Sequence, residues 1–217
     1  MKSRPILFNG PMVRALLEGS KTQTRRIMKN QPHEDWTPAR YTELHGFDKH
    51  GELTPDKVIG WGVVNEYGDQ GYCCQYGQPG DRLWVRETWG VVSNAWDDEG
   101  FVVDWVPVRP ATHIHEMRFG NGYYSGHVIY AADGSYEWAG DDDGGGEPRS
   151  AWHPSIHMPR AASRILLEIV SVRVERLNDC NEDDAKAEGA THYAPANHLS
   201  HGGWSHDGHY VRETALD

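Results

Sequence analysis

The reading of this chain turns on EGSKTQTRRIM, residues 18–28. Just before it, PMVRALLEG (11–19) predicts a short helix. Pro11 suits the first helical position, and Met12, Val13, Leu16 and Leu17 fall on one face at helical spacing. Gly19 suits the C-terminal cap, where a left-handed conformation is common. Upstream, PILF (5–8) predicts a strand ending at the Asn9–Gly10 turn. Downstream, KTQTRRIM leaves the cap as a turn and is expected to become a strand. On an ideal strand Lys21 and Thr24 face opposite sides. They converge only if Lys21 still lies in the turn, and Gly19 allows that.

Further along, residues 30–58 are polar without a clean period and read as irregular, while VIGWGVV (58–64) reads as a strand. In YGQPGDRLWVRETWGVV (76–92), Gln78-Pro79-Gly80-Asp81 is a tight turn and RLWVRETW alternates. Leu83, Val85 and Glu87 share one face; Trp84, Arg86 and Thr88 share the other. Residues 93–150 read as an insertion with short strands, among them HVIYAA (127–132), ending in the acidic, glycine-rich loop GDDDGGGEPRS (140–150). SRILLEIVSVRVERL (163–177) is the longest β-rich run. NEDDAKAEG (181–189) is a short helix with Asn181 as N-cap, acids in its first turn and Gly189 as its stop. From about 190 to 217 the chain is rich in histidine and glycine and reads as an irregular tail. The whole is expected to be mainly β with a few short helices (α+β): one domain over 1–217, built as a small barrel with irregular segments at 30–57 and 190–217 and the insertion at 93–150.

Composition narrows the function classes. The 217 residues carry a formal net charge of −11. Phosphate neutralisation drives non-specific coating of nucleic acid and needs a basic surface, so any nucleic-acid contact here is local. Three cysteines, Cys73, Cys74 and Cys180, do not make a disulfide framework. No apolar run approaches a membrane span and the N-terminus lacks a signal peptide's apolar region, so a cytoplasmic protein with no membrane partner is expected.

LLEGSKTQTRR resembles the signature of the ASCH domain, a PUA-like β-barrel. PGDRLWVRETW resembles that family's glycine–aspartate turn into a barrel strand. HMPRAASRILLEIVSVRVERLNDCNEDDAKAEG resembles a strand-then-helix segment of members carried by phages and prophages. The resemblance implies a PUA-like barrel with a long insertion, a protein that binds RNA or a modified nucleoside, and residence in a bacterial host's cytoplasm if phage encoded. One small bacterial branch removes the acetyl group from N4-acetylcytidine with a lysine, a threonine and a glutamate. Carried over by motif, these are Lys21, Thr24 and Glu188, and Arg26 matches the arginine closing the motif, with Arg25 beside it. Non-catalytic binding of RNA or a modified base, and a role as a phage accessory or assembly protein, are the alternatives.

Amide hydrolysis needs a nucleophile, a base that activates it and a group that stabilises the oxyanion. A threonine hydroxyl is inert unless a base takes its proton, and a lysine serves when its environment favours the neutral amine. A carboxylate such as Glu188 then protonates the leaving nitrogen or holds the base edge. Substrate-binding candidates are Arg25, Arg26, Trp84, Glu87, His157, Arg160 and Arg164. Trp84 and Trp89 can stack on a base or pack in the core. Glu87 is either a pocket wall or the ion-pair partner of Arg86 or Arg164, because acids are rarely buried alone. His157 titrates near neutrality, and Arg160 suits a phosphate. The thirteen histidines, including His113, His115, His198, His201, His206 and His209, invite a metal, yet the frame of a zinc site is missing, so neither metal nor cofactor is expected.

Overall fold

The computed structural model describes every residue except 34, 39, 68–70, 136–151, 194–202, 207–208 and 213–217. In chain order the strands and helices are β1 (Ser3–Leu7), α1 (Gly10–Leu17), β2 (Arg40–Phe47), β3 (Leu53–Val64), β4 (Gly71–Cys73), β5 (Arg82–Arg86), β6 (Trp89–Val92), β7 (Asn94–Trp96), β8 (Val102–Asp104), β9 (His113–Phe119), β10 (Gly122–Tyr130), β11 (Leu166–Glu168), α2 (Glu182–Ala187), β12 (Thr191–Tyr193), β13 (Gly203–His206) and β14 (His209–Arg212). The protein is mainly β with a few short helices. Among the described residues the strands form sheets of two or three strands, and none closes into a barrel. No helix among them is long and apolar enough to cross a membrane.

The chain divides into two compact units. The first holds Met1–Arg4, Ser20–Leu83 and Leu167–Asp217. Its antiparallel sheet β2–β3–β4 is built largely from residues expected to be irregular: Arg40 pairs with Val64 and Phe47 with Leu53. The hairpin escapes a hydropathy reading because charged and polar residues punctuate both arms, and its register shifts at Leu44–His45 and His45–Gly46 break the alternation. A second antiparallel sheet, β12–β13–β14, lies in the segment expected to be an irregular tail. His198 and His201 fall outside the described residues, as does the 140–150 loop.

The turn before β5 is pinned by a buried carboxylate. Asp81 accepts from the Lys2 backbone N–H at 2.6 Å and from Arg4 Nη1 at 3.1 Å. The Lys2 bond is the largest of the influences that hold the Asp81 carboxyl below its ordinary range. Gly77 sits at φ 130°, where a Cβ would lie 2.9 Å from Asp81 Oδ2, so the turn takes glycine there.

The second unit holds Pro5–Gly19 and Trp84–Leu166. Its sheet runs β6–β10–β9, so the expected insertion supplies two of the three strands. Val128 pairs with Val91 and Tyr130 with Trp89, and these four pack with Ile114, Met158 and Ala162 into one core. Asn9 caps α1 by accepting from the Met12 N–H at 3.0 Å, as its position before the helix requires. The buried residues of α1 are Val13 and Ala15, whereas Leu17, expected on the apolar face, is exposed. Eight residues make barely two turns, too few for a full apolar stripe.

Two strand expectations fail. Residues 22–28 form no ladder, and most of the 163–177 run lies outside one, leaving only β11. A β-rich run becomes a strand only when another strand supplies hydrogen bonds, and for Thr22 and Gln23 the end of a helix supplies them instead.

Candidate functional site

The motif at 18–28 folds back on α2. Gly19 takes φ 79°, the left-handed cap expected of it, and ends the helix path so that the chain turns outward. Lys21 then forms an isolated antiparallel bridge with Glu188, and the N–H groups of Thr22 and Gln23 both reach the Ala187 carbonyl, at 2.8 and 3.0 Å. The last turn of α2 is thereby satisfied by the Lys21 segment, the role a C-cap side chain or water plays at other helices. Asn181 and Asp184 close a capping box at the other end of α2.

Lys21 carries a buried cationic side chain: only 1% of it is exposed. Its Nζ donates to the Glu188 carbonyl at 2.8 Å and to the Gln23 carbonyl at 2.9 Å, and it lies 4.0 Å from Glu188 Oε2. The other Glu188 oxygen, Oε1, accepts from Arg25 Nη1 at 2.9 Å. Thr24 lies between Lys21 and Arg25 in sequence with its Oγ1 buried, and that oxygen has no hydrogen-bond partner among the described residues. A buried hydroxyl left unpaired costs free energy, so such groups either mark strain or await a ligand.

Around this core stands a ring of ion pairs that sequence reasoning missed. Arg25 Nη2 lies 3.0 Å from both Glu175 Oε2 and Asp184 Oδ2. Arg173 Nη2 donates to Asp184 Oδ1 at 2.7 Å and to Gln23 Oε1 at 2.9 Å, and Gln23 Nε2 donates to Asp184 Oδ1 at 3.0 Å. The Gln23 bond first, against the opposing effect of burial, and then Asn181, Arg173 and Arg25 pull the Asp184 carboxyl down to about 2. Burial works to lower the Arg25 pKa, but its bonds to Glu188, Glu175 and Asp184 outweigh it and hold the guanidinium above its usual value. The signal available in the sequence was the alternation Arg173–Glu175 and the acidic first turn of α2; what it lacked was the partner across more than 140 residues.

The remaining candidates belong to the second unit. Glu87 is 1% exposed, and both its oxygens accept from Arg164, Oε1 from Nε and Oε2 from Nη2, each at 2.9 Å. The same guanidinium donates to both Asp133 oxygens, at 2.8 and 2.9 Å, and lies 3.9 Å above the Tyr130 ring. Glu87 and Arg164 are thus the ion pair that was one of the two expectations for Glu87. Trp84 is buried beneath the Arg86 guanidinium, 4.7 Å away, and Trp89 is fully buried in the core. His157 and Arg160 are exposed on consecutive 3₁₀ turns, where Arg160 donates to the Ser163 carbonyl at 3.4 Å. Arg26, in the first unit, is exposed.

Of the ten candidates, then, Lys21, Arg25 and Glu188 come together at one place, and Thr24 lies on the segment between the first two. Among the described residues no three His, Cys, Asp or Glu side chains are arranged to hold a metal ion. No family model, curated protein or solved structure matches the chain.

Proposed function

We propose that the chain is an ASCH-type, PUA-like protein that binds a modified nucleoside or an RNA base at the Lys21–Thr24–Glu188 cluster. The observation that carries this reading is the pairing of a buried ammonium with a half-buried carboxylate, with a buried, unpartnered hydroxyl on the same segment as the lysine. A nucleobase edge presents amide and carbonyl groups side by side, and this trio offers it an acceptor, Glu188 Oε2, and a hydroxyl that can donate or accept. The acidity of the whole chain favours a ligand recognised by its base over one recognised by its phosphates.

Binding leaves Lys21 as the ammonium that its two carbonyl acceptors suit. Titration with N4-acetylcytidine and with cytidine, followed by calorimetry, tests this reading. Saturable binding that Lys21→Ala abolishes supports it; heat changes at the dilution level for every nucleoside and for short single-stranded RNA defeat it.

The buried, unpaired Thr24 hydroxyl favours a second reading, hydrolysis of an N-acyl group. Thr24 Oγ adds to the acyl carbon while Lys21, as the free amine, takes its proton. The carbon–nitrogen bond then breaks, the exocyclic nitrogen leaves with a proton, and water cleaves the threonine ester to a carboxylic acid. Release of cytidine from N4-acetylcytidine, absent in Thr24→Val, is the observation this reading requires.

A further inference from the structure

Resting on that reading of Glu188 as a ligand-facing group, we infer that Arg25 is a positioning residue for Glu188 and that Asp184 in turn positions Arg25. Motif position alone put Arg25 on the substrate. Its geometry puts it behind the carboxylate. Nη1 is committed to Glu188 Oε1 at 2.9 Å, and Nη2 is shared by Glu175 and Asp184 at 3.0 Å each. Both terminal nitrogens therefore end on carboxylates of the protein.

The consequence falls on Glu188. With Oε1 fixed by a charge-assisted bond, Oε2 is left turned to the Lys21 side, 4.0 Å from Nζ. A glutamate at the end of a six-residue helix otherwise has three free torsions, and a site needs its carboxylate in one orientation. Asp184 supplies the rigidity. Its backbone N–H and its carboxylate close the capping box of α2, so it cannot drift, and its Oδ2 holds Arg25 while its Oδ1 holds Gln23 and Arg173. Helix cap and site carboxylate are thereby tied together through one guanidinium.

Two measurements test this. The first is the crystal structures of the wild type, Arg25→Ala and Arg25→Lys. In Arg25→Ala the Glu188 carboxylate leaves its place beside Lys21, and in Arg25→Lys it keeps it; a carboxylate that stays put in Arg25→Ala overturns the inference. The second is a double-mutant cycle on N4-acetylcytidine affinity. Arg25→Ala weakens binding about tenfold in the wild type and has no further effect in Glu188→Gln, because it acts through Glu188. Additive losses mean that Arg25 touches the ligand itself and overturn the inference. Asp184→Asn stands in where Arg25→Ala does not fold: its loss of affinity disappears in the Arg25→Lys background if it acts through the guanidinium, and persists if it does not. A wild type that binds no nucleoside defeats the proposed function, while the crystallographic comparison still decides the role of Arg25.

Discussion

Lys21 Nζ lies 2.8 Å from the backbone carbonyl of Glu188 and 4.0 Å from its carboxylate, although 167 residues separate the two in sequence. One side chain thus both ties the 18–28 motif to the end of α2 and brings a charge beside the glutamate. Lys21→Met keeps the length of the stem and removes the ammonium. It leaves two part-buried carbonyls without their donor, which costs about 1–3 kcal/mol each at most. Urea denaturation is expected to show a lower midpoint with an unchanged slope. A midpoint equal to that of the wild type means that the ammonium is not a structural tie.

The Asp184 carboxyl titrates near 2 in the folded protein, below its ordinary value of 3.8. A carboxyl lowered by folding adds stability at every pH above its unfolded value, and that stability is lost as pH falls through the window from 3.8 to about 2. In Asp184→Asn this part of the acid dependence disappears. The stability difference between wild type and variant, followed by thermal melts, is expected to be largest near neutrality and to shrink across that window. A difference that stays constant from neutral pH to pH 2 contradicts the account.

The Glu87–Arg164 pair makes the opposite prediction. Burial first, and then the charge of Asp133, push the Glu87 carboxyl up, against the hydrogen bonds and charge of Arg164. A carboxyl raised by folding contributes stability that is present at acid pH and lost as pH rises through its folded pKa. Arg164→Leu takes away the cation and leaves the carboxylate buried alone, a change that costs about 3–5 kcal/mol. The variant is expected to lie well below the wild type at pH 7 and to recover part of the gap as pH falls and the carboxyl takes its proton. Adding Glu87→Leu is expected to restore much of the loss at neutral pH. A gap with no pH dependence argues that packing of the guanidinium on Tyr130 is what Arg164 supplies.

How much of this was legible before the fold was known depends on how local each cause is. The cap of α2 was legible because Asn181, the three acids after it and Gly189 act within two turns. Gly19 was legible for the same reason, although Lys21 lies past the turn, in an isolated bridge with Glu188. The β2–β3 hairpin was not, since its polar arms hide the alternation that marks a half-buried strand. The 163–177 run misled because valine and isoleucine state a preference that only a partner strand fulfils. Within the site, Glu188 came from resemblance rather than from any pattern at 181–189, and the fourfold use of Asp184 by Gln23, Arg25, Arg173 and the Asn181 N–H came from neither. Ion pairs and hydrogen bonds spanning 150 residues or more leave no periodic trace.

Thr24 separates function from stability more cleanly than any other position. Its hydroxyl is buried and unpartnered among the described residues, so Thr24→Val keeps the shape and removes a desolvated polar group. Stability is expected to be unchanged or to rise by about 1 kcal/mol. The most direct test of the central claim is calorimetric titration of wild type and Thr24→Val with N4-acetylcytidine, alongside their melting curves. The account predicts saturable binding by the wild type and at least about tenfold weaker binding by a variant that melts no lower. Equal affinity for the two proteins, or no binding by the wild type, contradicts it.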